Sequence, residues 1–269
     1  MSRTTLALVG LVVLLVLAGC NAPATETERT LTPAPVPETA SPTPTRALAP
    51  GVDSAGVFDS PALASAHARV LGEASYTVNQ TVFQQYPNGT VDARYVTVAR
   101  FAADHTVFRS TLRQADRRDG RLVTRRVERY GDGSRVYEAV TAENETTYGV
   151  VRGPDGEPRS PVNVFPANLT NRRPIERLFT LVETETVETR ARNGTRFVRV
   201  ATTEPQRLPP LRNVTLTATV REDGVVTAYR VTYDVDRGEG RIDVLVALEY
   251  TAIGETTPEA PPWLDRARD

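Results

Sequence analysis

The sequence has few of the side chains from which catalytic and metal sites are built. It contains one cysteine, Cys20, and two histidines, His67 and His105, in 269 residues. One cysteine cannot form a disulfide within the chain, and two histidines so far apart do not have the spacing of a zinc motif. No Gly-x-Ser-x-Gly elbow, phosphate-binding loop or His-Glu-x-x-His motif occurs. We therefore predict that the chain is not an enzyme and binds no cofactor or metal.

The chain also has no lysine and no excess of either charge. Its 32 basic residues are all arginine and are balanced by 33 acidic ones, which gives a net charge of -1. Domains that bind nucleic acids usually carry an excess of basic residues on one face. The overall balance therefore predicts no nucleic-acid partner.

The first twenty residues have the pattern of a lipoprotein signal. Arg3 precedes an apolar run from Leu6 to Leu17, and Leu17-Ala18-Gly19-Cys20 forms a lipobox. The alternative is a transmembrane anchor, but spanning takes roughly 20 apolar residues, and this run is shorter. We predict a signal peptide over residues 1–19 and a lipid on Cys20. The mature chain would then be exported and anchored to the outer face of the cell membrane.

A proline-rich segment follows the predicted lipid site. Residues 20–57 contain clusters of Thr, Ser and Pro and almost no large apolar side chains. Such a segment cannot bury a core, and proline favours extended conformations. We predict a disordered tether over residues 20–57 and a single folded domain over residues 58–269.

Asparagine occurs mainly in one tripeptide pattern. Six of the nine asparagines begin Asn-x-Thr without a central proline, which is the acceptor sequence for N-glycosylation at a secreted surface. These are Asn79, Asn88, Asn144, Asn168, Asn193 and Asn213. Asn-Gly is also a favoured hairpin turn, so turn formation is the alternative at Asn88 and Asn193.

Hydrophobic periodicity predicts two helices within a long run of strands. Asp59 or Ser60 can cap a helix that covers 61–71, and the apolar stripe after Pro174 predicts a second helix over 174–183. The remaining segments alternate with a period of two and are separated by turn residues. The predicted strands are 76–86, 91–101, 106–115, 122–130, 135–142, 146–151, 186–191, 196–202, 213–221, 225–235 and 242–250. Short connections predict an antiparallel sheet, and Trp263 with Leu264 should dock the tail onto it.

Two charged clusters permit more than one interpretation. Asp234, Asp236 and Glu239 could supply oxygen ligands to calcium, but their spacing is not that of a known loop, which favours a polar hairpin. Eight arginines crowd the hairpin of the third and fourth strands. These are Arg109, Arg113, Arg117, Arg118, Arg121, Arg125, Arg126 and Arg129. A solvated hairpin is one interpretation, and a surface for anionic lipid is the other.

The order of these elements resembles two groups of proteins. The lipobox, the Thr/Pro tether and the ending Pro261-Pro262-Trp263-Leu264 resemble uncharacterised cell-surface lipoproteins of haloarchaea. The element order of the body resembles the LolA/LppX-type lipoprotein carriers. That resemblance implies an α+β fold with a large antiparallel, strongly curved sheet, an incomplete β-barrel, and two main helices on its concave side. It also implies a lipid or other apolar ligand.

Two functional hypotheses follow. The first is a membrane-anchored, non-enzymatic binding module that holds a lipid or other apolar molecule between the sheet and its helices. The second is a structural or interaction glycoprotein of the cell envelope with a filled core. A cavity lined by Val, Leu, Phe and Tyr would favour the first hypothesis.

Overall fold

The computed structural model describes residues 47–164, 170–238 and 240–269. The predicted signal peptide, Cys20, the tether before residue 47 and Asn168 lie outside these residues. Within them, no helix has the length and apolarity needed to cross a membrane.

Twelve strands in the described residues form one antiparallel sheet. They are β1 (Tyr76–Gln85), β2 (Val91–Phe101), β3 (Val107–Arg118), β4 (Arg121–Asp132), β5 (Val136–Ala142), β6 (Glu145–Val150), β7 (Glu185–Arg192), β8 (Thr195–Ala201), β9 (Gln206–Leu208), β10 (Leu211–Arg221), β11 (Val226–Arg237) and β12 (Gly240–Thr251). The strands agree with the sequence prediction, except that β9 lies between two predicted strands, where no strand was predicted.

The sheet consists of two meanders joined by its first and last strands. The spatial order is β6-β5-β4-β3-β2-β1-β12-β11-β10-β8-β7, and β9 pairs with β10 away from this path. β1 and β12 are antiparallel and paired from Thr77 opposite Thr251 to Gln85 opposite Asp243. The sheet ends at β6 and β7 and does not close, as the predicted incomplete barrel requires.

The two faces of the sheet differ in what covers them. Along β10, Val214, Leu216, Ala218 and Val220 are buried, while the residues between them are half-buried. We call the face with these four residues the inner face and the opposite face the outer face. Because side chains alternate along a strand and partners share a face, the register assigns every strand residue to one of them.

Four helices occur in the described residues. They are α1 (Ser60–Gly72), α2 (Pro161–Val164), α3 (Arg172–Leu181) and α4 (Leu264–Arg268). α1 and α3 correspond to the two predicted helices. The short α2 lies in a segment for which neither a helix nor a strand was predicted.

The start of α1 follows from its capping residue. The side chain of Asp59 accepts a hydrogen bond from the Ala62 amide at 2.9 Å, which satisfies one of the amides left free at a helix start. Leu63 and Leu71 are fully buried on one face of this helix. The Ser60 and Thr180 hydroxyl groups are 2.7 Å apart, so a hydrogen bond also connects α1 with α3.

Both long helices lie on the inner face. One core cluster joins α1 and α3 to the second meander through Leu63, Ile175 and Leu216. Another joins the end of α1 to the first meander and β12 through Leu71, Tyr76 and Phe101. The predicted arrangement, with the main helices on one side of an open sheet, is confirmed.

The C-terminal tail packs on the outer face at the other end of the sheet. Trp263 and Leu264 contact Tyr137 of β5 and the half-buried Tyr148 of β6. The indole nitrogen of Trp263 donates a hydrogen bond to the Glu128 carboxylate at 3.3 Å. This confirms the predicted docking of the tail.

The boundary between tether and domain lies earlier than the sequence predicted. Ala49 and Val52 are buried in the same cluster as Leu63, and the half-buried Leu48 and Val57 pack against it. The prediction that the tether extends to residue 57 was therefore wrong. Alanine and valine between prolines and glycines gave no periodic pattern, so their burial was not visible in the sequence.

We expect the Ile175→Ala variant to lower the free energy of unfolding by about 2 to 5 kcal/mol, because it deletes a fully buried side chain between α3 and the sheet. The exposed Arg173 on the same helix provides the control, and Arg173→Ala should change this energy by less than about 0.5 kcal/mol. Urea unfolding measures both. Equal losses would contradict the described packing of α3.

Candidate ligand-binding site

An apolar cavity of about 210 Å³ lies between α3 and the inner face of the sheet. Its walls come from α3 with the residue after it and from strands β9 to β12. The lining residues are Pro174, Leu178, Leu181, Val182, Leu208, Leu211, Val214, Tyr229, Val231, Tyr233 and Val246. Leu181, at the end of α3, is 50% exposed, so an apolar side chain at the cavity also meets solvent. Exposed apolar side chains beside a concavity are typical of a site that takes an apolar partner.

Among the described residues that line this cavity, only Tyr229 and Tyr233 have polar side-chain atoms, which are their hydroxyls. Burial raises the pKa of Tyr229 to about 12. Burial also raises the pKa of Tyr233, and the positive charge of Arg237 partly opposes this change. Both groups therefore remain neutral at ordinary pH. They can orient one polar atom of a ligand, whereas the other contacts must be apolar.

The inner face continues from the cavity as a half-buried row of side chains. Val231 and Val246 line the cavity, Val246 lies opposite Val82, and Val82 lies opposite Tyr95. Val82 and Tyr95 are half-buried. Because the register puts these side chains on one face, a ligand longer than the cavity has an apolar surface to follow across β12, β1 and β2.

The sequence analysis predicted an apolar site in general but not these residues. Val214 and Leu178 belong to recognised apolar patterns, whereas Leu208 and Leu211 lie between the strands predicted over 196–202 and 213–221. Strand alternation could have assigned Tyr229, Val231 and Tyr233 to one face. It could not show that α3 lies over them, because this contact is between distant parts of the chain.

A larger depression of about 440 Å³ lies on the outer face. Its lining includes Ala228 and Ala247 and the charged side chains of Arg199, Arg230 and Glu249. Small residues in the centre of paired strands account for its shape. Because three charged groups line it, this depression suits an apolar ligand less well than the inner cavity.

The predicted glycosylation sites lie at three kinds of position. Asn88, Asn144 and Asn193 are exposed at the tips of the hairpins β1–β2, β5–β6 and β7–β8. Asn79 is half-buried on the outer face and lines the larger depression. Asn213 is exposed, but its amide nitrogen donates a hydrogen bond to the Asp234 carboxylate at 2.5 Å. Glycosylation at these positions stays a prediction.

Of the three acidic residues considered for calcium, Glu239 lies outside the described residues, and Asp234 and Asp236 contact side chains of the same protein. Asp234 accepts from Asn213 and pairs with Arg241 at 3.0 Å, and Asp236 pairs with Arg212. Arginine side chains therefore occupy the positions that a cation would take. No group of three or more metal-ligating side chains is found within the described ranges.

The arginine-rich hairpin is divided between the two faces of the sheet. Register places Arg109, Arg113, Arg117 and Arg126 on the outer face, and it places Arg118, Arg121, Arg125 and Arg129 on the inner face. The eight arginines therefore do not form one patch. The four on the outer face are joined there by arginines of β2.

A family model matches residues 5–267, almost the whole chain, and its description is a family of unknown function, DUF7537. The chain belongs to this family. No curated protein matches it.

Solved structures that resemble this DUF7537 chain are distant. A LolA superfamily protein from Nitrosomonas europaea has 9% identity and a TM-score of 0.26, and the match covers 76% of this chain and 95% of that one. The Mycobacterium tuberculosis lipoprotein LppX has 11% identity and a TM-score of 0.31, with 73% and 97% covered. A DUF1329 family protein from Desulfovibrio piger has 10% identity and a TM-score of 0.27, with 76% and 95% covered.

TM-scores below 0.5 do not by themselves establish a common fold. The open antiparallel sheet of this DUF7537 chain is known from its own strand order. Nothing in these matches supports the haloarchaeal origin that the sequence resemblance implies.

One titratable side chain lies fully buried where α1 meets the sheet. The Nδ1 atom of His67 accepts a hydrogen bond from the Val226 amide at 3.1 Å. Among the described residues, its Nε2 atom has no hydrogen-bond partner. Burial lowers the pKa of His67 from 6.5 to about 4, although the Thr170 backbone and the charge of Asp223 partly oppose it. His67 is therefore a neutral core residue of this DUF7537 domain and not a ligand group.

This burial makes the stability of the domain dependent on pH. Below pH 6.5 the unfolded chain binds a proton at His67 that the folded chain does not bind until about pH 4. Stability from this group is therefore complete above pH 6.5 and is lost as the pH falls toward 4, by roughly 3 kcal/mol in all. Urea unfolding at several pH values should show a smaller loss in His67→Gln than in the wild type across this window. Equal losses in both proteins would show that His67 is not responsible.

Proposed function

We propose that this protein is a lipid-anchored lipoprotein of the outer cell surface whose domain binds a lipid or another apolar molecule between α3 and the inner face of the sheet. The observation that carries this proposal is the apolar cavity, since none of the described residues that line it has a charged side chain. Burial of apolar surface in such a concavity is the main source of affinity for an apolar ligand.

The size of the cavity limits the ligand. At about 210 Å³ it is smaller than the roughly 300 to 1,000 Å³ typical of pockets that enclose a whole small molecule. It can hold part of a hydrocarbon chain, and the remainder would follow the half-buried row formed by Val82 and Tyr95. This geometry favours a long, flexible apolar ligand over a compact one.

The chemistry of the cavity supports binding without catalysis. Its two hydroxyls belong to Tyr229 and Tyr233, whose raised pKa values keep both protonated at ordinary pH, so neither is available to accept a proton as a general base. Binding and orientation are therefore what this lining can do.

A second candidate function is favoured by the positions of the sequons. Asn88, Asn144 and Asn193 are exposed at the tips of three hairpins, where attached glycans would disturb no packing. A glycoprotein that contacts other envelope components through its outside would use such positions. Loss of these glycans should not change occupation of the cavity, so the two functions can be separated.

We expect Val246→Trp to weaken binding of the fluorescent fatty acid cis-parinaric acid at least tenfold, because the indole would fill the cavity that Val246 lines. Val98→Trp is the matched control, because Val98 is a half-buried valine on the outer face of β2. Fluorescence titration measures the affinities, and thermal unfolding checks that both variants are folded. No binding to the wild type, or equal binding to both variants, would contradict the cavity as the site.

The anchor is tested separately. Cys20→Ser removes the thiol to which the lipid would be attached, so we expect an unlipidated precursor or a released form in place of a membrane-bound protein. Membrane fractionation and intact-mass measurement report both properties. The anchor proposal fails if the wild-type protein has no added lipid mass, or if its mature chain begins at a residue other than Cys20.

A further inference from the structure

We propose that the outer face of β2 to β4 is a docking surface for anionic lipid headgroups. Six arginines of these strands lie on this face. Arg117 donates to the carbonyl oxygens of Val91 and Gly120, and the other five define the surface that we call the arginine face. They are Arg94, Arg100, Arg109, Arg113 and Arg126. This inference concerns the side of the sheet opposite the apolar cavity and does not depend on what the cavity binds.

Strand register places four of these arginines in two directly facing pairs. Arg100 of β2 lies opposite Arg109 of β3, and Arg113 of β3 lies opposite Arg126 of β4. Arg94 is two residues along β2 from Val96, the partner of Arg113, and therefore diagonal to it. Residues directly opposite each other on antiparallel strands have side chains on the same face, with Cβ atoms about 5 Å apart.

Little negative charge compensates this group. Glu128 of β4 is near the arginines, with ion pairs of 3.7 Å to Arg109 and 2.8 Å to Arg126. Its side chain is 13% exposed, and its one negative charge is shared between these two arginines. Arg94, Arg100 and Arg113 are exposed and have no ion pair within the described part of the chain.

This arrangement is unfavourable for folding alone. Like charges directly opposite on neighbouring strands repel. This face carries two such pairs, separated by the row that contains Thr111 and Glu128, in a chain whose net charge is -1. Elsewhere on the outer face, threonine lies opposite threonine, as at Thr215 and Thr232, whose hydroxyls are 2.6 Å apart. A partner with several negative charges would remove the repulsion.

The C-terminal helix places two arginines on this face, but Arg268 pairs with the exposed Asp265 at 3.4 Å, so only Arg266 adds a cation without an ion pair among the described residues. α4 packs on the outer face of β5 and β6, and its Arg266 and Arg268 are exposed above Tyr148 and Tyr137. These cations lie on the same face as the five strand arginines.

The shape of the surface favours a membrane as the partner. Guanidinium groups bind phosphate oxygens through two parallel hydrogen bonds, and the strands present them as a broad array of exposed side chains. Anionic headgroups in a bilayer form a matching array. The proline-rich residues 21–46 would span about 80 Å if fully extended at roughly 3.1 Å per residue, so a domain anchored at Cys20 can reach the bilayer.

The test uses the chain from Asn21 to Asp269, which lacks the predicted signal and lipid but keeps every described residue. Sedimentation with vesicles of equal parts phosphatidylglycerol and phosphatidylcholine measures binding. We expect the double variant Arg100→Gln/Arg113→Gln to bind about 25-fold more weakly, about fivefold for each arginine. The variant removes one member of each repelling pair and leaves both ion pairs of Glu128 in place. Its thermal unfolding midpoint should therefore stay the same or rise.

A matched control and two other conditions make the test decisive. Arg190→Gln/Arg192→Gln removes two exposed arginines from β7 and should leave binding within about twofold of the wild type. Phosphatidylcholine vesicles, or salt near 1 M, should abolish wild-type binding. The proposal is overturned if both double variants lose affinity equally, if neutral vesicles bind as well, or if soluble polyphosphate binds and anionic vesicles do not.

Discussion

The pairing of the first strand with the last is the interaction on which the rest of the structure depends. β1 and β12 come from opposite ends of the domain, and nine residue pairs from Thr77–Thr251 to Gln85–Asp243 hold them together. This pairing makes one sheet from two meanders, so one helix can contact both. α1 packs Leu63 against the second meander and Leu71 against the first. Without the pairing of β1 with β12, the row of inner-face side chains from Val246 to Val82 and Tyr95 would not exist.

The helices complete the structure by polar contacts that fix their positions. His67 of α1 accepts from the Val226 amide at the start of β11, and Asn171 before α3 donates to the Tyr250 hydroxyl of β12 at 2.8 Å. Buried polar groups are costly unless they are paired, so such contacts favour one placement of each helix. α3 is thereby held over β10 and β11, where its apolar side meets an apolar sheet without filling the space between them. The cavity is the volume that remains.

Local patterns carried much of the fold. Alternation and turn residues placed all the long strands, and the Asp59 cap placed the start of α1. Long-range contacts were not accessible in the same way: Ala49 and Val52 carry no periodic signal, yet they are buried beside Leu63. The general nature of the site was predicted, but its lining depends on α3 lying over Tyr229 and Val231. The arginines of the β3–β4 hairpin could be recognised in the sequence, but only the strand register showed which of them lie on each face of the sheet.

The central claim is that this domain of a family of unknown function carries an apolar molecule on the inner face of its sheet. Native mass spectrometry of the full protein, purified from its own membranes and compared with the same sample under denaturing conditions, tests it most directly. The denatured chain keeps any covalent lipid, so the difference between the two masses reports only bound ligand. The account predicts an additional mass of one lipid or similar apolar molecule that is reduced in Val246→Trp. Identical native and denatured masses in repeated preparations would contradict it.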